Sequence, residues 1–404
     1  MKDKIKKITI LSLCASMVLP TVAFAQTNYN VSNSNILLYE YEKKASLIES
    51  YGDNYDDFIE KNMYELKITQ KIYEFLMDNY DNSYPNYYGG MYITEDSNNV
   101  ILQIVKNNIP SDNKNEYKKY KELISFDDSI IIEYVDNDFN SLDEINNNII
   151  KYFSSDKVEY KNLIGNYVDV YTNKVIVEID KNTKETQNQF KELVIDSDLI
   201  TFVEKEGRNE DALNAGSGIK TKGVDNNCSM GFRAKINGNV GYITAGHCYD
   251  GTGESSTGGT VTHRQYSGSV DAAFVKKTNI LTFLYNTLAY QGGGITQLNT
   301  IGLCPFLSSG TAVARSGVSS QYRAGTVTNN NYSGYWGTTY FTNLVATNVY
   351  VLGGDSGGPV FFPTNTDSGA TLIGVVKGKI TTNDYSMFFT KEENVASAFG
   401  YSRY

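Results

Sequence analysis

The period of the apolar positions changes once along the chain, near residue 205. Before that point helical and strand patterns alternate. Leu37, Leu38, Tyr41, Ala45 and Ile48 keep helical spacing, and Leu66, Ile72, Phe75 and Leu76 keep it more loosely. After Gly89-Gly90, Met91–Ile93 and Val100–Val105 read as strands separated by the turn-rich Asp96–Asn99. A helix over Glu116–Ile124 and a strand over Ile130–Val135 follow. The order then returns as Tyr167–Tyr171, a turn at Asn173, Val175–Ile179, a helix over Lys184–Leu193 and a strand at Ile200–Val203. Two copies of strand–strand–helix–strand predict an α+β module with an antiparallel sheet, although unrelated segments of similar propensity would give the same pattern.

Residues 206–219 are polar and small, an exposed linker in this reading. Beyond them short β-rich runs alternate with Gly, Asn, Ser and Thr turns: Gly231–Ile236, Val240–Thr244, Ala272–Val275, Thr311–Ala314, Gly325–Thr328, Thr339–Ala346 and Leu372–Val376. Many short strands at regular spacing predict a barrel or a sandwich, closed off by a helix over Lys391–Phe399. Glycine usage sharpens the division, because 30 of the 34 glycines follow residue 205. A chain of 404 residues has room for two or three domains, each with its own core.

Charge divides at the same place. Residues 26–205 hold 18 basic and 33 acidic side chains and residues 206–404 hold 14 and 12, so the net −10 belongs to the first half. No segment offers the positive field a nucleic-acid binder needs. With 41% apolar and 13% aromatic residues, the chain has the material for packed cores rather than disorder. Lys2, Lys4, Lys6 and Lys7, the apolar Ile8–Leu19 and Ala23-Phe24-Ala25 form the three-part pattern of a secretory leader over residues 1–25, cleaved after Ala25. The apolar run is shorter than the ~18 residues of a membrane span, so a secreted protein with no membrane attachment after leader removal is expected. Cys14 departs with the leader. Cys228, Cys248 and Cys304 remain, which permits one bridge and leaves one thiol.

The chain has only two histidines. His247 stands in Thr244-Ala-Gly-His-Cys248 just after a predicted strand, whereas His263 lies in a polar, turn-rich stretch suited to an exposed structural role. Asp271 opens Asp271-Ala-Ala-Phe-Val275, and Ser356 lies in Gly353-Gly-Asp-Ser-Gly-Gly-Pro359. A serine hydroxyl needs a neighbouring base and an orienting carboxylate to act as a nucleophile. Glycines around it let backbone and substrate approach closely and leave amide N–H groups to face an oxyanion. A Ca²⁺ loop at Asp136-Asn-Asp138-Phe-Asn140 is discounted, since Ser141 replaces its glycine and Asn147 its bidentate Glu.

The three segments around His247, Asp271 and Ser356, in that order, resemble the signatures of chymotrypsin-like serine proteases. The secreted bacterial branch, streptogrisins and alpha-lytic protease, is the closer likeness. Cys228-Ser-Met-Gly-Phe232 is similar to its first barrel strand, Arg315-Ser-Gly317 with Gly325-Thr-Val327 to a hairpin of the second barrel, and Thr347-Asn-Val349 to the approach to the nucleophile loop. The resemblance covers residues 216–404. It implies an all-β catalytic domain of two six-stranded antiparallel β-barrels, the trypsin-like fold, over residues 211–404. An α+β propeptide over 26–210, ending between 205 and 219, would assist folding and then inhibit. His247 would be general base, Asp271 its orienting partner and Ser356 the nucleophile, with the N–H groups of Gly354 and Ser356 as oxyanion hole. The resemblance further implies a Cys228–Cys248 bridge and a buried Arg315–Asp355 ion pair.

The function implied is that of a secreted serine endopeptidase made as a zymogen. It acts on peptide or protein substrates through an acyl-enzyme, without metal or cofactor. The alternative is a catalytically inactive, protease-like surface or binding protein. Departures from the family pattern are also present. Ala314, Ala324 and Tyr350 stand where further bridging cysteines are expected, and Cys304 is expected to be a buried free thiol. No Asp occurs in Tyr350–Gly353 to select basic side chains, and neither His is positioned for glutamate selection. Lys377 stands where the family has a Ser that supports the catalytic Asp. Tyr350, Lys377 and Lys379 are the candidate substrate-pocket residues, with the lysines favouring acidic side chains if they face it and serving only as solvated charges if they do not.

Overall fold

The computed structural model describes residues 51, 54–81, 83–111, 115–155, 157–205, 209–211, 217–279, 284–290, 298–301, 307–363, 370–380 and 386–402. The leader over 1–25, the helical spacing at 37–48, Cys304 and most of the linker's middle lie outside them. In the N-terminal half α1 (Tyr55–Asn79) buries Ile59, Asn62, Leu66, Thr69, Ile72 and Leu76, one stripe of a 3.6-residue period. β1 (Tyr88–Ile93) and β2 (Val100–Val105) pair antiparallel, α2 (Asn115–Ile124) crosses over, and β3 (Ile130–Val135) lies parallel to β2 from Val100↔Ile130 to Val105↔Val135. The order repeats with α3 (Phe139–Phe153), β4 (Leu163–Asp169) antiparallel to β5 (Lys174–Ile179), α4 (Lys184–Leu193), and β6 (Ile200–Glu204) parallel to β5.

The expected repeat is therefore present, but its sheets are mixed rather than antiparallel. A helix between the second and third strand returns the chain to its starting end, so the third strand must run in the same direction as the second. Helix α3 was not anticipated. It buries Leu142, Asn146, Ile149 and Phe153, and the Asp138 carboxylate caps it by accepting the Ser141 N–H at 3.0 Å. The acidic stretch Asp136–Asn140 is thus the entry to a helix.

The C-terminal half begins with β7 (Asn209–Asp211) and a hairpin of β8 (Gly218–Thr221) and β9 (Val224–Ser229). The first barrel is built on an antiparallel sheet of β10 (Phe232–Ile236), β11 (Asn239–Thr244), β12 (Ser255–Ser256), β13 (Gly259–Ser267) and β14 (Val270–Lys277), in the order β10-β11-β14-β13-β12. The β8–β9 hairpin lies beside it, Lys220 N donating to Thr257 Oγ1 at 2.7 Å. β15 (Leu298–Ile301) leads to the second barrel of β16 (Ala312–Gly317), β17 (Gln321–Trp336), β18 (Thr339–Tyr350), β19 (Pro359–Phe362), β20 (Ala370–Ile380) and β21 (Ser386–Lys391). Its six strands pair antiparallel in the order β16-β19-β20-β21-β18-β17, and β17 returns to β16, which closes the cylinder and leaves it no free edge. The terminal helix α5 (Glu392–Phe399) ends at Gly400, whose φ of +60° needs no side chain.

The two halves share sheets and core. β17 runs past its barrel and pairs with β4 through Ser333↔Asn166 and Gly334↔Gly165, so one sheet continues into β5 and β6. A Cβ at Gly165 would lie 2.2 Å from Tyr332 Oη, a contact only glycine allows. Tyr332 Oη in turn donates to Glu178 Oε2 at 2.8 Å, and the Lys205 ammonium pairs with the same carboxylate at 2.8 Å. On α1, Asn62 satisfies Gly310 O at 2.9 Å and the Ala312 N–H at 2.7 Å. Leu66 and Ile93 pack into the apolar cluster formed by Val313, Val327, Val345 and Phe389 of the second barrel. Finally β7 lies antiparallel on β20, Asn209 opposite Ile380, Glu210 opposite Lys379 and Asp211 opposite Gly378.

Candidate active site

Strand β11 delivers the chain to a single 3₁₀ turn, Gly246–Cys248, that holds His247. Gly246 is required there by space, because a Cβ would meet Gln265 O at 2.2 Å and Ala272 O at 2.8 Å. Cys248 is bridged to Cys228 on β9 across 20 residues, so the turn is tied covalently to the strand beside it. The sulfurs and the His247 ring lie within 4.8 Å of one another, and with both thiols consumed in the bridge they form no metal site. His263 lies elsewhere, half-buried with its ring about 6.0 Å from those of Phe274 and Phe399.

Asp271 is the second residue of β14 and is wholly buried. Its Oδ1 accepts the His247 backbone N–H at 2.9 Å and its Oδ2 lies 2.7 Å from His247 Nδ1. That contact sets the proton on Nδ1 and leaves Nε2 as the basic nitrogen. Burial alone would push the Asp271 carboxyl up. The charge of the His247 ring and of the Lys377 ammonium, each with a hydrogen bond, outweighs burial and holds the carboxyl well below the ordinary carboxylate range.

Ser356 sits on the loop between β18 and β19, and this loop is sewn to the His247 segment. Ser229 N donates to Ser356 O at 2.5 Å, and Thr244 Oγ1 donates to Ser229 O at 2.6 Å. Gly357, at φ +85°, could not carry a Cβ, which would fall 2.2 Å from Thr244 Oγ1 and 2.9 Å from Ala245 N. Ser356 Oγ itself lies 3.4 Å from Lys377 O on β20. The structure thus bonds His247 to Asp271 and lays the Ser356 loop against Ser229, Thr244 and Lys377, beside the segments that carry them. Gly354, two residues before Ser356, has φ +120°, a conformation open to glycine.

Below this loop Asp355 and Arg315 are both fully buried and paired, Nη2 to Oδ2 at 3.1 Å. The carboxylate also takes the N–H groups of Leu352 at 2.9 Å and Ser320 at 3.2 Å, and the Ser320 hydroxyl. The guanidinium bonds Gln321 O at 2.8 Å, Tyr350 O at 2.7 Å and the Ser320 hydroxyl. Burial lowers the Arg315 pKa to about 10, with Asp355 opposing the shift. Ser320, which joins both partners, was not anticipated from the sequence.

The proposed pocket residues do not converge. Lys377 does not face a pocket. It is wholly buried, its ammonium 2.9 Å from Asp271 Oδ2 and 3.8, 4.8 and 4.6 Å from the ring centroids of Phe341, Trp336 and Tyr266. The reason is local: the β20–β21 register shifts between Val376 and Gly378, and such a bulge re-aims the side chain it carries. Tyr350 is exposed and lines a cavity of about 1090 Å³ with Ser319, Arg323, Glu95, Asp96 and Tyr171, between the second barrel and the N-terminal half. Lys379 is partly exposed, and its backbone faces Glu210 of β7.

The family described as Pro-like C-terminal domain matches residues 140–205, the second repeat from α3 to β6. Streptogrisin-A of Streptomyces griseus is 28% identical over 220 residues, which is 52% of this chain and 68% of that protein. Serine protease 2 of Streptomyces fradiae is 29% identical over 165 residues, 37% of this chain and 86% of that one. Among solved structures, Thermobifida fusca protease A matches 47% of this chain and 97% of its own at 26% identity and a TM-score of 0.40.

Proposed function

This chain belongs to the chymotrypsin-like serine proteases, in the bacterial, propeptide-bearing branch, and on that premise we propose that it is a serine endopeptidase made as a zymogen. The observation that carries the reading is the buried 2.7 Å contact between His247 and Asp271 beside the glycine-lined Ser356 loop. Ser356 Oγ attacks the scissile carbonyl while His247 Nε2 removes its proton, and Asp271 holds the ring and stabilises the imidazolium. The N–H groups of Gly354 and Ser356 receive the oxyanion, an interaction whose loss typically costs ~10²–10³ in rate. His247 then protonates the leaving amine, and water resolves the acyl-enzyme by the same steps in reverse. Cys228–Cys248 and Arg315–Asp355 hold the His247 turn and the Ser356 loop.

In this reading residues 1–25 direct export, residues 26–210 are the propeptide and residues 211–404 the enzyme. No described helix is long and apolar enough to cross a membrane. The inhibitory role is supported by β7, the described part of the linker between the halves, which is laid as an added strand on β20 immediately past Lys377. A cut within Glu206–Ile219 would release it. The test is labelling of the secreted, processed protein by a fluorophosphonate, together with hydrolysis of a denatured protein substrate. Both are expected and both should vanish in Ser356→Ala. A processed protein that neither labels nor cleaves would be the inactive binding protein instead.

A further inference from the structure

Lys377 brings a positive charge to the atom on which the orientation of His247 depends. Its ammonium and the His247 Nδ1–H both bind Asp271 Oδ2, at 2.9 and 2.7 Å, while Oδ1 takes the His247 backbone N–H at 2.9 Å. The arrangement is shielded from bulk solvent, since Lys377 and Asp271 are fully buried and the His247 side chain nearly so. Three ring faces from three strands take the place of the ammonium's hydration: Tyr266 on β13, Trp336 on β17 and Phe341 on β18. These rings pack on one another, Tyr266 and Phe341 at 4.9 Å and Trp336 and Phe341 at 5.7 Å, so the cage is a fixed part of the barrel seam.

We infer that Lys377 is a positioning residue that lowers the proton affinity of His247 by spending part of the Asp271 charge, so that the base stays free in acid. The inference rests on the catalytic reading above and gives it a pH range. A lone carboxylate beside an imidazole favours the imidazolium, and a second cation on the same oxygen opposes it. In a buried site that opposition is weakly screened.

The other charges around the cage do not reverse the sign. Arg264 stands over the Tyr266 ring at 5.7 Å with its Nε bonded to Gly246 O and Tyr249 O, and its charge acts in the same direction. Lys205 and Glu178 pair with each other at Tyr332, whose ring packs on Trp336, and Lys391 on β21 donates to Asn343. Asp271 is thus the anion bonded to both Lys377 and His247.

The chain's two histidines make the test direct. The full-length Ser356→Ala chain, labelled in its histidine rings, is titrated by NMR, with His263→Asn assigning the two signals. His247 should lose its proton well below the ordinary imidazole value of about 6.5. Lys377→Met should raise that midpoint by about one pH unit or more, a tenfold change in proton affinity, and Lys377→Arg should keep it low. The His263 midpoint serves as the internal standard and should not move. A His247 midpoint at or above 6.5 in the chain carrying Lys377 overturns the inference whether or not the Met variant folds. So does a midpoint that Lys377→Met leaves in place. If His247 titrates as expected while Ser356 of the processed protein takes no fluorophosphonate, the peptidase reading falls and the electrostatic one stands.

Discussion

Asp271 receives its hydrogen bonds as a carboxylate, so its contribution to stability depends on pH. Its folded value is depressed below the ordinary one. The stabilisation is therefore complete above about pH 4 and is lost as pH falls through the lower folded value. Urea midpoints of the Ser356→Ala chain should drop between pH 6 and pH 3, and Asp271→Asn should flatten that drop. At pH 6 the same substitution strands Lys377 without its anion, which should cost about 3–5 kcal/mol. Arg315→Met should cost a similar amount, because Asp355 would stay buried without its cation. Arg315→Lys should recover little, since an ammonium lacks the fork that reaches Gln321 O, Tyr350 O and Asp355 together. Denaturant titration checks both, and an unchanged midpoint in Arg315→Met would mean the pair contributes nothing. Much of this site was legible beforehand because its residues are tied to motifs: His247, Asp271 and Ser356 stand in short glycine- and alanine-rich strings whose small residues mark crowded backbone. Lys377 was misread because β20 is buried on both faces there, so alternation carries no signal, and a bulge turns the side chain inward.

At the scale of elements the β17–β18 hairpin decides how the halves meet. Its near half closes the second barrel and its far half receives β4. Gly165→Val would push Tyr332 from its place and leave Glu178 without one of its hydrogen bonds, at a cost of about 1–3 kcal/mol. Hydrogen exchange on the Ser356→Ala chain should then show Ser333 and Gly334 losing protection while β19 and β21 keep theirs. Equal protection in the variant would mean β4 contributes no hold on the hairpin. The length of β17 was hidden in the sequence for the same reason that it matters. Asn329-Asn-Asn331 and Ser333-Gly334 read locally as turns, yet Asn329 pairs with β18, Ser333 with β4 and Gly334 with both, with register shifts at Asn329 and Tyr332 absorbing the mismatch. The shorter strands were visible because glycine and asparagine turns bound them. The repeat in the N-terminal half was visible in its order but not in its strand direction, which apolar alternation does not encode.

For the whole molecule, the question is what the N-terminal half does for a barrel whose contacts are far apart in sequence. Ala314 meets Phe361 and Val345 meets Phe389, so closure must wait for segments more than 40 residues apart to find each other. Folding limited by such pairings is slow. The N-terminal half touches the barrel at β16, at the β17–β18 hairpin and in its core. Asn62 satisfies the backbone just before β16, Leu66 and Ile93 enter the core, and β4 braces the long hairpin. In the proposed folding role, the contacts of Asn62 and β4 would hold β16 and the β17–β18 hairpin in place while β19 to β21 pair. Residues 217–404 refolded alone should therefore recover fluorophosphonate labelling at least about tenfold more slowly than with residues 26–205 added in trans. Asn62→Ala in the added segment should lose part of that gain, since two buried backbone groups would then go unsatisfied. The net −15 of residues 26–205 beside the nearly neutral remainder leaves little long-range attraction, so the gain should survive 0.5 M salt. Recovery at the same rate with and without the added segment would mean that the contacts of Asn62, Leu66, Ile93 and β4 do not speed closure of the barrel.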